Sequence, residues 1–246
     1  MNVLSPKRRP KRGYHLAILL KIEEEHAIIL KSFSKTTKLE KIIYAQGSTN
    51  NLNVLYNFYE EIIKAIRPTL KEGVRSIILV ASPRSSCPRK FLNHIKEHHK
   101  WLDKGPSKVA ISEIVDPAST PSQLLALAQT EKLRKIVSDT TSEETENLIE
   151  ILEKRLIIDD RKRYVLFSIE EIEDSILRRH KPSRPRPEYL MVTDKYVGET
   201  HDKNRLHRLM QIATNKKVKT RIINAESPAG SRLTQFGGIV CLLEIS

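Results

Sequence analysis

The sequence predicts a two-domain α/β protein, and three observations support that prediction. Short segments rich in β-branched and apolar residues come first, at residues 14–22, 27–30 and 39–44, and they have the pattern of β-strands. Helical and strand-like segments then alternate up to residue 137, which indicates a layered sheet with parallel strands. The chain finally reaches a near-continuous apolar run at residues 239–245, which is typical of a strand covered on both faces.

The first domain is predicted to span residues 13–137. The charged segment Glu23–His26 separates the first two strands and is interpreted as a solvated hairpin turn. Apolar residues at helical spacing indicate a helix that Pro68 ends, because proline lacks the backbone N–H that a helix needs. The elements that follow the three strands are helices at 52–66, 89–101 and 122–136 and strands at 74–81 and 109–115.

The second domain is predicted to span residues 142–246. The polar segment 137–144 is interpreted as the link between the domains, with Ser142 as the N-cap of the next helix. Gly237 and Gly238 are expected to stop the last helix, since glycine takes positive φ without a steric penalty. The predicted elements are helices at 142–156, 168–177, 202–214 and 231–236 and strands at 189–192, 218–223 and 239–245.

Composition and charge restrict the classes of function. The net charge of +13 and pI near 9.7 favour a polyanionic partner such as a nucleic acid or ribonucleoprotein, with a charged surface for solubility as the alternative. Cys87 and Cys241 do not have the spacing of a metal site or a disulfide framework, and Cys241 is expected in the core. Because no apolar run approaches the length of a membrane span and residues 1–12 lack the apolar core of a signal peptide, we expect a cytoplasmic protein without a membrane partner.

Three cationic segments are the candidate RNA-binding sites. Residues 1–12 are predicted to form a disordered basic arm. Residues 178–187 combine cations with prolines that hold the chain extended, which lowers the ordering entropy lost on binding. The third segment lies at a strand–helix turn, where helix N–H groups add to anion binding. The candidate residues are Lys7, Arg8, Arg9, Lys11, Arg12, Arg84, Arg89, Lys90, Arg178, Arg179, Lys181, Arg184 and Arg186.

No catalytic residue, metal site or cofactor is predicted. A nuclease would need several carboxylates converging on Mg²⁺, and Asp116 is the one good strand-end candidate. His94, His98 and His99 lie close together on a predicted helix and have the i, i+4 spacing of metal ligands. Since no carboxylate or cysteine is evidently placed to complete a site, we interpret them as a solvated basic helix face.

Several segments resemble a known protein family. Residues 227–243 form a helix–glycine–strand ending, Ser-Pro-Ala-Gly-Ser-Arg-Leu-Thr-Gln-Phe-Gly-Gly-Ile-Val-Cys-Leu-Leu. This ending is similar to the C-terminal signature of Pelota and the archaeal and eukaryotic class-1 release factors. Residues 57–66, 77–83 and 91–95 resemble the central domain of Pelota in order and spacing, and residues 190–194 resemble a strand of its third domain. The chain departs from the family at Arg84 and Ser85, where Pelota has Gly-Phe.

The resemblance covers roughly residues 14–245 and implies a fold and a set of partners. The fold would be a ribonuclease-H-like central domain followed by a ribosomal-protein-like α/β sandwich related to kink-turn RNA binders. The Sm-like N-terminal domain of Pelota is not expected here, because residues 1–12 stand in its place. The implied role is a non-catalytic ribosome-binding factor in ribosome rescue, recycling or dormancy. The implied partners are the ribosome, through rRNA with tRNA as a further contact, an elongation-factor-like GTPase and an ABC-type recycling ATPase.

Two other functions remain open. Release factors hydrolyse peptidyl-tRNA with a Gly-Gly-Gln loop that corresponds here to residues 44–51, which contain Gln46. Ala45 precedes this glutamine in place of a glycine pair, and glycine would be needed where the backbone must take positive φ. The first alternative is therefore a peptidyl-tRNA hydrolase that uses Gln46. The second alternative is a kink-turn RNA-binding module, which the fold of the third domain would allow.

Overall fold

The computed structural model describes residues 14–104, 108–157, 164–178 and 185–245. The first half of the chain forms a mixed five-stranded sheet with the order β3-β2-β1-β4-β5. Strands β1, β2 and β3 are antiparallel neighbours, whereas β1, β4 and β5 run parallel. The strands are β1 (His15–Ile22), β2 (His26–Phe33), β3 (Thr37–Tyr44), β4 (Ser76–Ala81) and β5 (Ala110–Val115).

Helices cover both faces of this sheet. They are α1 (Leu52–Lys71), α2 (Cys87–His98), α3 (Lys100–Asp103), α4 (Pro121–Leu127) and α5 (Glu131–Ile157). Successive side chains of a strand point to opposite faces, so the central strands supply two separate cores. Ile18 and Leu79 pack in the core beneath α1, α2 and α3, whereas Leu19 and Val80 pack in the core beneath α4 and α5.

Helix α1 continues past the position where the sequence predicts its end. Pro68 lies inside α1, which runs to Lys71. Proline removes one helical hydrogen bond, but Thr69 and Leu70 beyond it are 1% exposed and belong to the packed face of the helix. Burial of this last turn offsets the lost bond, so Pro68 does not act as a helix terminator here.

The second half of the chain forms a mixed four-stranded sheet with the order β6-β9-β7-β8. Strand β9 is buried throughout and pairs with antiparallel neighbours on both sides, as the apolar C-terminal run predicts. Its thiol, Cys241, is fully buried, as expected. The elements are β6 (Val165–Leu166), α6 (Ile169–Leu177), β7 (Pro187–Thr193), α7 (Asp194–Glu199), α8 (Lys203–Asn215), β8 (Lys219–Ile223), α9 (Pro228–Gln235) and β9 (Ile239–Leu243).

Helix α5 corrects the prediction of a polar interdomain link. Residues 137–144 lie inside this single helix, and Ser142 is not an N-cap. The polar side chains of Thr140 and Glu144 are only 1% and 2% exposed. They can be buried because each finds a hydrogen-bond partner on a strand that is distant in sequence. Thr140 Oγ1 donates to Ser112 Oγ at 2.7 Å, and Glu144 accepts a hydrogen bond from the Ser76 hydroxyl. Polar residues that find such partners stay helical and buried.

A buried ion pair joins the second sheet to α5 and the first sheet. Arg221 of β8 pairs through Nε with Glu144 Oε1 at 2.7 Å, and both side chains are 2% exposed. Arg221 Nη1 also donates to the carbonyl oxygen of His15 at 2.8 Å, and Nη2 to that of Leu16 at 3.3 Å. Burial raises the pKa of Glu144, and the adjacent guanidinium opposes that rise. The contact therefore ties β8, α5 and β1 together, and the two mixed sheets confirm the predicted α/β class.

Candidate nucleic-acid interface

The turn between β4 and α2 carries the best exposed group of predicted RNA-binding residues. The backbone of Arg84 is in the left-handed region at φ 66°. Ser85 N donates to the carbonyl oxygen of Ser82 at 3.0 Å, which closes the turn. Helix α2 then begins at Cys87, whose N–H donates to Ser85 Oγ at 3.3 Å. The turn is thus held by its own backbone and by serine hydroxyls, and the cationic side chains are left to project outward.

Arg84, Arg89 and Lys90 are all exposed in this turn and in the first turn of α2. Within the described part of the chain, no acidic side chain forms an ion pair with any of these three residues. An exposed cation without an internal partner keeps its full attraction for phosphate, whereas an ion pair would have to be broken first. We refer to these three residues as the α2 cationic patch.

A buried lysine, which is absent from the residues predicted from sequence, anchors the loop that leads from β4 into the patch. Lys21 of β1 is fully buried, and its Nζ donates to Ser82 Oγ at 2.7 Å and to the carbonyl oxygen of Asp116 at 3.2 Å. Lys21 also pairs with Glu23 Oε1 at 3.2 Å, and Ser82 Oγ donates to the same oxygen at 2.6 Å. The network fixes the loops that follow β1, β4 and β5. The sequence does contain a signal for this role, namely a lysine within an otherwise apolar strand. A charge that is buried in such a strand needs polar partners nearby.

Asp116, the candidate nuclease carboxylate, has a local structural role. Its Oδ1 accepts the backbone N–H of Ala118 at 2.9 Å, as a turn-forming aspartate does. Among the described residues, the cluster that could hold a metal ion lies elsewhere and does not include Asp116.

The other predicted cationic segments differ from the α2 cationic patch. Arg178, at the end of α6, pairs with Asp174, and its carbonyl oxygen accepts from Lys216 Nζ at 3.2 Å. Arg186 is exposed, and its carbonyl oxygen accepts from Glu244 N at 2.7 Å. The remaining predicted residues lie outside the described part of the chain: Lys7, Arg8, Arg9, Lys11, Arg12, Arg179, Lys181 and Arg184.

Gln46 lies where the resemblance predicts the catalytic loop of a release factor, between β3 and α1. Its side chain is exposed, and the next residue, Gly47, has φ 118°. A groove of about 500 Å³ adjoins the loop and is lined in part by Gln46, Lys41 and Asn57. Positive φ therefore occurs after Gln46, whereas the family motif has glycines before the glutamine.

The interpretation of the histidines as a solvated face is wrong for two of the three. His94 and His99 are each 7% exposed, and both contact Glu60 of α1. Burial lowers the pKa of His94 despite the nearby carboxylate. Burial alone would raise the pKa of Glu60, but hydrogen bonds from His99 and His94 bring it below its ordinary value. His98 is the exposed member of the group.

The described helices include none with the length and apolar character that crossing a membrane requires.

Comparison with known structures shows which fold the two sheets form. A structure of ribosome-bound archaeal Pelota and ABCE1 superposes with a TM-score of 0.53 over 97% of this chain, at 13% sequence identity. The chain has a Pelota-like fold. A second match with this fold is Saccharomyces cerevisiae Dom34, a translation termination-like factor that interacts with Hbs1, with a TM-score of 0.50 over 93% of this chain at 19% identity.

The Pelota-like fold extends through both sheets, which confirms the fold that the sequence resemblance implies. The chain spans 62% of the length of each of these two structures. Neither the family models nor the curated proteins give a match to the sequence.

Proposed function

We propose that this protein is a ribosome-binding factor that acts in ribosome rescue, recycling or dormancy in the cytoplasm, without chemistry of its own. The observation that supports this role is the Pelota-like fold across nearly the whole chain, since one matched structure is of ribosome-bound Pelota with ABCE1. The net charge of +13 agrees with a phosphate-rich partner. The α2 cationic patch is the proposed rRNA contact, with tRNA as an additional one, because its charges are exposed and have no acidic partner among the described residues.

The direct test is co-sedimentation with purified ribosomes across a salt series. Each phosphate contact that a cation makes lowers the logarithm of the binding constant by roughly 0.7–0.9 per logarithm of salt concentration. The substitutions Arg84→Asn, Arg89→Gln and Lys90→Gln, combined in one variant, should therefore reduce that slope by about 2 and weaken binding at low salt. Asparagine is chosen at position 84 because it tolerates the left-handed backbone.

A matched control removes three exposed cations from the other domain. Lys195→Gln, Lys203→Gln and Arg208→Gln change the net charge equally but lie on α7 and α8. The control variant should keep the wild-type slope to within about one unit. If wild-type protein does not sediment with ribosomes even in dilute buffer, the proposed function is wrong. If the two variants lose binding equally, the interaction depends on net charge and not on the patch.

The proposed protein partners are an elongation-factor-like GTPase and an ABC-type ATPase. The supporting observation is that the two matched structures are of Pelota with ABCE1 and of a factor that interacts with Hbs1. Addition of the protein to ribosomes should raise the retention of such a GTPase or ATPase on the sedimented ribosome. Equal retention with and without the protein would remove these partners from the proposal.

The alternative function is hydrolysis of peptidyl-tRNA through Gln46. The observation that favours it is the exposed position of this side chain in the loop after β3. Peptide release from ribosomes loaded with peptidyl-tRNA separates the two functions. Our proposal expects no release above background, and Gln46→Ala should leave ribosome binding unchanged. Release that the wild-type protein supports and Gln46→Ala abolishes would replace our proposal with the hydrolase.

A further inference from the structure

A compact group of metal-ligating side chains lies on the face of the first domain formed by α1, α2 and α3. Glu60 comes from α1, His94 from α2, and His99 from the residue that joins α2 to α3. Their ligand atoms all lie within 4.8 Å of one another. The group shares no residue with the α2 cationic patch or with the loop that carries Gln46, and the proposed function does not use it.

The geometry directs both imidazoles at one carboxylate oxygen. Nε2 of His94 lies 3.0 Å from Glu60 Oε1, and Nε2 of His99 lies 2.6 Å from the same atom. A tetrahedral zinc ion with bonds of about 2.0–2.1 Å needs its ligand atoms roughly 3.3 Å apart. To admit the ion, the distance from Glu60 Oε1 would have to widen by about 0.3 Å to His94 and by about 0.7 Å to His99, and the two histidine nitrogens would settle roughly 3.3 Å apart.

The surroundings favour a bound ion over a freely hydrated cluster. His94 and His99 are buried, and the rings of Tyr56 and Tyr59 lie 5.2 and 5.3 Å from the ring of His94. Tyr59 is 3% exposed, so this side of the cluster is shielded from water, which strengthens the attraction between a carboxylate and a cation. The Glu60 side chain is 33% exposed, which gives an ion a route from solvent.

The donor set indicates the class of metal. Imidazole nitrogens suit zinc and the neighbouring transition metals, whereas calcium and magnesium prefer oxygen ligands throughout. Two histidines and one glutamate provide three protein ligands and leave a fourth position for water. A metal binds the neutral form of each imidazole.

We propose that Glu60, His94 and His99 bind a single zinc-type divalent cation that links α1 to α2 and to the residue preceding α3. The ion would replace the two hydrogen bonds on Glu60 with three coordinate bonds. Because these helices cover one core of the first sheet, an ion bound to the folded state would stabilise the packing on that face.

The test is titration of the full-length, metal-stripped protein with Co²⁺, followed by displacement with Zn²⁺. One equivalent of Co²⁺ should produce the visible d–d absorption of a tetrahedral or five-coordinate site, and Zn²⁺ should remove it. In a melting experiment with Zn²⁺ at 100 times its Kd, the apparent unfolding constant should fall about 100-fold.

Variants separate this site from binding elsewhere. Glu60→Gln keeps the size of the side chain and one hydrogen-bond acceptor, so the protein should fold but should lose the cobalt spectrum. His94→Gln should also lose it, whereas His207→Gln, an exposed position on α8, should retain it. The proposal is wrong if wild-type protein gives no such spectrum and no zinc-dependent rise in melting temperature. It is also wrong if Glu60→Gln and His207→Gln bind Co²⁺ equally.

Discussion

Cationic side chains have opposite roles in two regions of this molecule. Arg221 is 2% exposed, pairs with Glu144 and donates to backbone carbonyl oxygens of the first sheet. In the α2 cationic patch, Arg84, Arg89 and Lys90 are exposed and have no acidic partner among the described residues. Burial and pairing, and not residue type, therefore decide whether a cation contributes to stability or remains available to a polyanion.

The largest expected effect is the loss of the buried ion pair. Arg221→Met leaves the carboxylate of Glu144 buried without its cation, which typically costs 3–5 kcal/mol, so we expect a loss of about 3–5 kcal/mol in the free energy of unfolding. Urea denaturation at neutral pH measures it. The control is Arg232→Met, since Arg232 and its partner Glu153 are 50% and 46% exposed, and this substitution should cost less than about 1 kcal/mol.

A double variant sharpens that result. Glu144→Gln combined with Arg221→Met removes both charges, so it should be more stable than Arg221→Met alone. Equal stability of Arg221→Met and the wild-type protein would contradict the role that we assign to the junction.

The second effect is a pH dependence at the same junction. Burial, with a smaller contribution from the charge of Arg221, lowers the pKa of His15 to about 4. The unfolded chain binds this proton below the ordinary pKa near 6.5, so stability is present above that pH and is lost as the pH falls towards 4. The contribution is at most about 3 kcal/mol, since one pKa unit corresponds to roughly 1.4 kcal/mol.

The measurement compares wild-type protein with His15→Phe between pH 7 and pH 4.5. Phenylalanine keeps the ring that stacks on Phe33, with ring centroids 4.7 Å apart, but cannot titrate. Between pH 7 and pH 4.5, the free energy of unfolding should fall less in His15→Phe than in the wild-type protein. Parallel curves for the two proteins would show that His15 does not carry the effect.

The smallest expected effect on stability belongs to the α2 cationic patch. Because its side chains make no ion pair in the described chain, each substitution in the triple variant should change the free energy of unfolding by less than about 0.5 kcal/mol. Urea denaturation checks this, and ribosome binding should fall in the same protein. If the triple variant lost several kcal/mol in the free energy of unfolding, the patch would also serve stability, and the contrast with the buried Arg221 would be wrong.

Local pattern was sufficient to predict most elements of both sheets. The apolar run of β9 and the apolar face of α1 depend on residues close together in sequence, and their burial follows from periodicity. The departure at Thr140 and Glu144 has a different cause. These side chains are polar, so their segment was predicted as a link, and their partners Ser112, Ser76 and Arg221 are remote in sequence. Such long-range pairs leave no signal in local composition.

In the candidate site, as in the fold, local motifs could be predicted from the sequence and tertiary contacts could not. The α2 cationic patch was identified because cations at the start of a helix after a strand form a local motif. Lys21 and Glu60 were not identified, since their roles depend on tertiary contacts. Lys21 acts on loops that follow three strands, and Glu60 meets His94 and His99 from another helix. Whether residues 1–12 contact RNA stays a prediction.

The most direct test of the central claim is photo-crosslinking to ribosomes from defined positions. A photoreactive amino acid replaces Lys90 in one protein and Lys203 in another, both of which are exposed first-turn positions on helices that pack against different sheets. We predict crosslinks to rRNA or tRNA from position 90 that disappear at high salt, and far fewer from position 203. Absence of RNA crosslinks from position 90, or equal crosslinking from both positions, would contradict the proposed ribosome contact.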